Sequence, residues 1–216
     1  SMGDKLNMSR RAVAQFMKVA NPQDEFCLIT FSNRAELLEP FTTMTEVVQN
    51  RLTFIGSKGS TALLDGVYLA MNQMRKAKNP RKAILIISDG GDNSSRYTET
   101  EVKNAVVESD TQVYAFGIFN AMGSRATPEE FSGPDLLNHL ARLTGGRSFG
   151  INNVAELPDA AEKVAIELRN QYVLGYSSTN KTRDGKYRRV EVKMGKVKGL
   201  PKLTPVYRTG YYAPLQ

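Results

Sequence analysis

The sequence of 216 residues predicts an α/β fold with a Rossmann-like, mostly parallel sheet flanked by helices. One observation is a continuous apolar run at residues 83–87 that ends in Ser88-Asp89-Gly90, as a fully buried parallel strand does. Another is that strand-like runs alternate with helical patterns of about ten or more residues as far as residue 171. A chain of this length buries a sufficient core without disulfides.

Helices are identified by apolar side chains that recur every three or four residues, and strands by shorter apolar runs between turn residues. Helices are predicted at residues 3–20, 43–54 (with Thr45 as its cap), from the Thr61 loop to 78, 98–109, 135–144 and 156–171. Strands are predicted at residues 25–32, 35–41, 82–89, 112–119 and 147–151, and a surface loop at 120–133. Only Asn33-Arg34 separates the first two strands, so we expect them to form an antiparallel hairpin.

Residues 172–216 differ in character, because strands follow one another there without helices. Apolar runs at 172–176, 187–194 and 206–212 predict three strands, and Asp184-Gly185 predicts a hairpin turn between the first two. We therefore expect two parts. Residues 1–171 form the α/β domain, and residues 172–216 form a small antiparallel β extension packed on it.

Composition limits the classes of function. The net charge is +7, and basic residues concentrate at 181–202, partly in alternation with apolar residues, as on a half-exposed strand. This pattern favours a solvated strand over a nucleic-acid surface, and no nucleic-acid partner is expected. The single cysteine, Cys27, lies in an apolar strand and should be a core residue. No apolar run reaches the ~18 residues of a membrane helix, so no membrane span is predicted in this chain.

Two polar positions are candidate metal ligands. Asp89 follows the buried strand at the carboxyl edge of the sheet, where open α/β sheets bind ligands. Thr61 lies in a glycine-rich loop at residues 56–66 that leads into a helix. A hydroxyl and a carboxylate are hard oxygen ligands of the kind that Mg²⁺ prefers. The alternatives are structural: Asp89 as a turn or capping carboxylate, and Thr61 as a helix cap.

At these residues the chain resembles the von Willebrand factor A family. That family carries a metal-ion-dependent adhesion site, built from an Asp-x-Ser-x-Ser turn after its first strand, a Thr on a second loop and an Asp after its fourth strand. Residues 59–63 (Gly-Ser-Thr-Ala-Leu) match the second element, and residues 86–90 (Ile-Ile-Ser-Asp-Gly) match the third. Ser1 matches only the last serine of the first element, unless it is a residue left by cloning. The family's central first strand is likewise absent, so we expect a gap in the core unless something else fills it.

The tail carries a second resemblance, to a bacterial subgroup of von Willebrand A-like proteins, through residues 208–214 (Arg-Thr-Gly-Tyr-Tyr-Ala-Pro). The family resemblance implies that Ser1, Thr61 and Asp89 bind Mg²⁺, with Mn²⁺ or Ca²⁺ as the other cations considered. It further implies a protein partner that offers an Asp or Glu carboxylate to the metal. Adhesion or assembly, rather than catalysis, is the implied role. An extracytoplasmic or secreted location is favoured on the same ground.

Three more residues lie near the expected site. Asp65 follows Thr61 by one helical turn and either stabilises the helix N-terminus or holds the metal loop from behind. Asp92 and Asn93 either shape a partner surface or are solvated loop residues. The only histidine, His139, lies mid-helix between apolar neighbours, which favours a structural role over a catalytic one.

Three other functions are compatible with the sequence. The first is an assembly scaffold whose metal site is vestigial, which the incomplete first motif supports. The second is a metal-assisted hydrolase, for which only Asp65 and Asp89 could act as a base; the sequence holds neither a Gly-x-Ser-x-Gly elbow nor a P-loop. The third is nucleic-acid binding through the basic tail.

Overall fold

The computed structural model describes residues 2–56, 59–118, 128–195, 199 and 203–215, except for the side chains of residues 2–5 and 128–132. Its helices are α1 (Met2–Lys18), α2 (Thr45–Thr53), α3 (Leu63–Met74), α4 (Glu99–Glu108), α5 (Pro128–Thr144) and α6 (Leu157–Arg169). Its strands are β1 (Phe26–Phe31), β2 (Ala35–Thr42), β3 (Ala83–Ser88), β4 (Gln112–Ile118), β5 (Ser148–Ile151), β6 (Tyr187–Arg189) and β7 (Gly210–Tyr212). A 3₁₀ turn, Val154–Glu156, precedes α6.

The predicted parallel sheet is formed by β3, β4 and β5, in that order. β3 and β4 pair from Ala83 opposite Gln112 to Ser88 opposite Gly117. β4 continues beside β5, with Ala115 opposite Ser148. The connections run through α4 and α5, so the carboxyl ends of all three strands lie at one edge of the sheet.

Helices cover both faces of this sheet. On one face, α3, α4 and α5 pack on Ile84 and Ile86 of β3. On the other face, α1 and α6 pack on Tyr114 and Phe116 of β4. Burial on two faces explains why the β3 sequence is continuously apolar rather than alternating. The predicted α/β fold is confirmed. Within the described ranges, no helix combines the length and the apolar character needed to cross a bilayer.

β1 and β2 form the predicted antiparallel hairpin, with Phe31 opposite Ala35. β1 also runs in the same direction as β3. The carbonyl of Ser32, just after β1, accepts a hydrogen bond from the Ala62 N–H at 2.8 Å, in the loop at the carboxyl edge. The carboxylate of Glu25, just before β1, accepts one from the Lys78 N–H at 2.6 Å, close to the start of β3.

A cavity of ≈ 490 Å³ lies between β1 and β3, and we call it the interstrand slot. Among the described strands, β1 pairs only with β2, and β3 pairs only with β4, so each presents an open edge to the slot. Side chains of α1, α3 and α6 also line it. This cavity is the gap in the core that the sequence predicts.

Cys27 lines the slot and is half-buried rather than fully enclosed in the core, so the core prediction holds only in part. Burial of the thiol raises the pKa of Cys27 to about 11. A thiol with such a pKa carries little thiolate near neutral pH, which makes it poorly reactive there.

Two predictions about helix starts were wrong. α2 has Met44 as its N-cap, and Thr45 is its first residue. α5 starts at Pro128, so the predicted loop is helical from that residue; residues 119–127 of the loop lie outside the described residues. The Gly, Ser, Thr and Pro content of residues 120–133 favoured a loop, yet the helix begins within this segment and runs through Pro134.

The tail contains less sheet than predicted. β6 pairs with β7 in antiparallel register, with Tyr187 opposite Tyr212, and both strands are shorter than expected. The Asp184-Gly185 turn does form, since Asp184 Oδ1 accepts a hydrogen bond from the Lys186 N–H at 3.0 Å. The predicted hairpin was nevertheless wrong, because β6 pairs with β7 and residues 172–176 form no strand. A segment of high β propensity forms a strand only where a partner edge is available.

Candidate metal site

The loop that carries Thr61 is anchored to the end of β1. The Ser60 N–H donates to Asn33 Oδ1 at 2.8 Å, and the Ala62 N–H donates to the Ser32 carbonyl at 2.8 Å. Gly59 has a φ of +104°, and a side chain there would overlap the Asn33 amide. Glycine is therefore required where the loop passes the β1–β2 turn.

Thr61 is also joined to the loop that follows Asp89. The Thr61 carbonyl accepts hydrogen bonds from the N–H groups of Asn93 at 3.0 Å and Ser94 at 3.1 Å. In return, the Thr61 N–H donates to Asn93 Oδ1 at 2.8 Å. The two loops that the sequence analysis singled out are therefore in direct contact. Asn93 joins the two loops through these hydrogen bonds, so it is more than a solvated loop residue.

The Thr61 side chain does not cap α3, contrary to one of the alternatives. The N-cap residue is Ala62, and no side chain of the N-cap bonds to the helix. The first turn is instead satisfied from the opposite loop, where Asp92 Oδ1 accepts from the Leu64 N–H at 3.2 Å and Ser95 Oγ accepts from the Asp65 N–H at 3.1 Å. Thr61 is half-buried, and no described residue hydrogen-bonds its hydroxyl.

Asp89 lies directly after β3 and is half-buried. Its Oδ1 accepts a hydrogen bond from the Gly91 N–H at 3.2 Å. Gly90 has a φ of +83°, and its backbone packs against that of Gly133 in α5. A methyl group on Gly133 would overlap the Asp89 carbonyl oxygen. α5 thus fixes the backbone that carries the Asp89 carboxylate.

Asp65 is buried, with 5 % of its surface exposed. Its Oδ1 accepts hydrogen bonds from the N–H groups of Arg96 at 2.8 Å and Tyr97 at 3.1 Å, and its Oδ2 contacts Arg96 Nε at 3.2 Å. Burial alone would raise the pKa of this carboxyl, but these hydrogen bonds and the guanidinium lower it below its usual value. Asp65 therefore holds the loop of Asp92 and Asn93 against α3.

The remaining predicted ligand, Ser1, lies outside the described residues. Among the residues that the structure describes, no group of three or more His, Cys, Asp or Glu side chains converges as a metal cluster. His139 is exposed on α5, as a surface histidine. Sequence reasoning missed Asn33, Ser95 and Gly133. Only Asn33 carried a signal, because it belongs to the predicted turn.

A comparison with known proteins supports the resemblance to the von Willebrand factor A family. Residues 1–91 match the von Willebrand factor type A domain. A protein of Borreliella burgdorferi that is named only as uncharacterized is 21% identical over 168 residues, which cover 71% of this chain and 49% of the relative. The chain therefore spans about half the length of the curated relative that it matches.

Solved structures share the fold. A von Willebrand factor type A protein from Catenulispora acidiphila aligns with a TM-score of 0.58 and 16% identity, over 76% of this chain and 38% of the other. Proximal thread matrix protein 1 from the mussel byssus, in a form with a zinc-occupied MIDAS motif, aligns with a TM-score of 0.57 and 17% identity, over 77% of this chain and 43% of the other. At these identities the likeness concerns the fold alone.

Proposed function

From the von Willebrand factor type A domain that residues 1–91 match, we propose that this protein is a non-catalytic, protein-binding or adhesion domain. In this proposal Thr61 and Asp89 hold a divalent cation at the carboxyl edge of the sheet, and the cation accepts a carboxylate from a protein partner. The observation that carries the proposal is the direct contact between the Thr61 loop and the loop that follows Asp89.

The donor set fits a hard divalent cation. The Thr61 hydroxyl would supply a neutral oxygen, and the Asp89 carboxylate would bind directly or through water. Mg²⁺ usually takes one or two carboxylates and keeps several waters, so a site with one carboxylate suits it. Mn²⁺ or Ca²⁺ would use the same oxygen donors. When bound, the cation supplies a positive charge that attracts an Asp or Glu side chain of the partner.

Residues of this chain hold the Thr61 loop and the loop after Asp89 in place for cation binding. Asn93 ties the backbone of Thr61 to the loop beyond Asp89. Asp65 and Asp92 attach that loop to the first turn of α3. Gly133 supports the Asp89 backbone from α5. Ser1 would add a second hydroxyl to the site, and residues 172–216 would form an extension of the domain.

Isothermal titration calorimetry with MgCl₂ and MnCl₂ tests the proposal. We expect the unsubstituted chain to bind the cation and the variants Asp89→Ala and Thr61→Val to lose at least about tenfold in affinity. Thr61→Ser keeps the hydroxyl and should bind normally. Asp159→Ala removes an exposed carboxylate at the start of α6 and serves as the matched control. Equal affinity in all five proteins would refute the assignment.

An assembly scaffold with a vestigial metal site is the second candidate. It is favoured by the small charge of the donor pair, in which Asp89 supplies the one carboxylate. The two candidates differ in their response to a chelator. If EDTA changes neither the melting temperature nor the binding of a protein partner, the scaffold is the better description.

A further inference from the structure

The tail, residues 172–216, carries the positive charge of this protein. It holds 10 Lys and Arg residues against 2 Asp and Glu residues, a net charge of +8. Residues 1–171 hold 19 against 20, a net charge of −1. Charge that is concentrated in one part of a chain indicates an anionic partner for that part.

Much of this charge is exposed and is not neutralised within the molecule. Both acidic residues of the tail are already paired, Asp184 with Arg188 at 2.7 Å and Glu191 with Lys193 at 3.5 Å. Four further basic residues are exposed and form no ion pair with any described residue: Lys181, Arg183, Lys186 and Arg189. These four side chains are therefore available to an anionic partner.

The tail also exposes a run of apolar side chains. The exposed fraction is 93% at Tyr172, 90% at Val173 and 73% at Leu174, and none of these residues belongs to a strand or a helix. A single exposed apolar residue is ordinary, whereas several adjacent ones form the kind of patch that binds a partner.

The small sheet of the tail has one face toward the α/β part and one face away from it. The Tyr212 hydroxyl donates a hydrogen bond to Asn104 Oδ1 of α4 at 2.7 Å, so the Tyr212 side of β7 faces the α/β part. Tyr211 points to the opposite side, because successive side chains of a strand alternate. Arg188 of β6 lies opposite Tyr211 in the register. The outer face of the sheet thus carries Tyr211 and Arg188.

The segment that carries the apolar run packs on this outer face. Tyr176 lies edge-on against Tyr211, with 6.4 Å between the ring centroids. Further along the segment, Lys181 Nζ donates to Ser177 Oγ at 2.8 Å. Seven residues separate Leu174 from Lys181, so the end of the apolar run and this cation are at most about 25 Å apart. Exposed apolar and basic side chains therefore lie close together in the tail.

This combination fits the surface of a membrane better than it fits a nucleic acid. Lys and Arg attract anionic headgroups, Tyr favours the headgroup level, and Val and Leu enter the boundary of the acyl chains. A nucleic acid offers bases that stack on aromatic rings, but it gives no such place to the aliphatic side chains of Val173 and Leu174. Since the backbone of residues 172–176 is in neither a helix nor a sheet, its polar groups limit insertion to the headgroup region.

We propose that the tail binds the surface of a membrane that contains anionic lipids. Residues 172–174 enter the headgroup region, and the exposed basic side chains contact the lipid phosphates. Each basic residue close to such a surface strengthens binding by about fivefold, and burial of the apolar run adds to this attraction. The binding is separate from the candidate metal site and does not need a cation there.

Co-sedimentation with sucrose-loaded vesicles tests the proposal, at about 0.1 M NaCl and in the presence of EDTA. We expect the chain to bind vesicles of phosphatidylcholine with phosphatidylglycerol, and to bind phosphatidylcholine alone at least about tenfold more weakly. Replacing the four exposed basic residues of the tail with Gln should weaken binding more than about hundredfold. The matched control changes the net charge equally by replacing four exposed basic residues outside the tail with Gln, and should bind like the parent: Arg11, Arg75, Lys76 and Lys163.

Tryptophan fluorescence tests the apolar run by itself. The chain contains no tryptophan, so Val173→Trp introduces a single reporter. We expect its emission to shift to shorter wavelength when phosphatidylglycerol vesicles are added, and to be quenched by lipids with bromine atoms near the headgroup end of the acyl chains. Glu162→Trp, at an exposed position on α6, is the control and should show neither change.

Equal binding to the two kinds of vesicle, or an equal loss in the tail variant and its control, would overturn the proposal. An emission of Val173→Trp that does not respond to vesicles would overturn it as well. Tighter binding to a single-stranded oligonucleotide than to phosphatidylglycerol vesicles would assign the charge to nucleic acid instead. Because the vesicle and oligonucleotide measurements are made in EDTA, their outcomes are independent of cation binding at Thr61 and Asp89.

Discussion

Thr61 and Asn93 are joined by reciprocal hydrogen bonds: the Asn93 N–H donates to the Thr61 carbonyl at 3.0 Å, and the Thr61 N–H donates to Asn93 Oδ1 at 2.8 Å. A paired contact of this kind fixes both the separation and the relative orientation of two loops. One loop carries the Thr61 hydroxyl, and the other begins at Asp89. The candidate site therefore depends on Asn93 even though this residue need not touch the cation.

Replacing Asn93 with alanine should loosen the site without unfolding the domain. The variant loses the acceptor for the Thr61 N–H, which costs about 0.5–1.5 kcal/mol of stability. We expect weaker Mn²⁺ binding in calorimetry and a slightly lower urea midpoint. Asn93→Asp keeps an acceptor oxygen at this position and should restore most of the binding. If Asn93→Ala binds the cation as well as the unsubstituted chain, the loop contact is not needed for the site.

Asp65 should make the stability of the domain depend on pH in the acid range. Because its folded-state pKa lies below the ordinary value of 3.8, its stabilisation is complete above that value and is lost as the pH falls through the lower one. Asp65→Asn should therefore lower the free energy of unfolding by about 1–3 kcal/mol at pH 7. The difference between variant and parent should shrink toward pH 2.

Urea unfolding at pH 7, 4 and 2 measures this effect. Glu162→Gln, at an exposed position beyond the first turn of α6, is the matched control and should follow the parent at every pH. A constant difference between Asp65→Asn and the parent across the range would show that the carboxylate charge is not what stabilises the loop.

Gly133 should tolerate no side chain. A methyl group there would overlap the Asp89 carbonyl oxygen, so either α5 or the Asp89–Gly90 backbone must move. We expect Gly133→Ala to destabilise the domain by about 1–3 kcal/mol and to weaken cation binding. At Gly195 an added methyl group meets no described atom within 4 Å, so Gly195→Ala should be neutral in both assays. Neutral behaviour of Gly133→Ala would show that this packing does not set the position of Asp89.

The helices and strands of the α/β part could be predicted because local pattern and burial agree there. β3 is apolar on both faces, and the Thr98–Glu101 capping box begins α4 where the sequence placed it. The tail could not be predicted in the same way. Residues 172–176 have the composition of a strand, but pairing depends on a free edge elsewhere in the fold, which local sequence does not encode.

In the candidate site, too, some residues could be predicted from the sequence and others could not. Thr61 and Asp89 could be identified because each lies within a recognisable motif. Asn33, Ser95 and Gly133 could not, because each acts on a residue that is distant in sequence, through a turn, a loop or a helix backbone. Asp65 was ambiguous from sequence alone, and its hydrogen bonds to Arg96 and Tyr97 show what it holds.

The proposed function requires that Thr61 and Asp89 bind the same cation. Electron paramagnetic resonance counts free Mn²⁺ during titration of the parent, Thr61→Val, Asp89→Asn and the double variant. A shared site predicts one bound Mn²⁺ per chain in the parent and at least about tenfold weaker binding in each single variant. It also predicts little further loss in the double variant, since both changes remove the same site. Equal Mn²⁺ binding by all four proteins would contradict it.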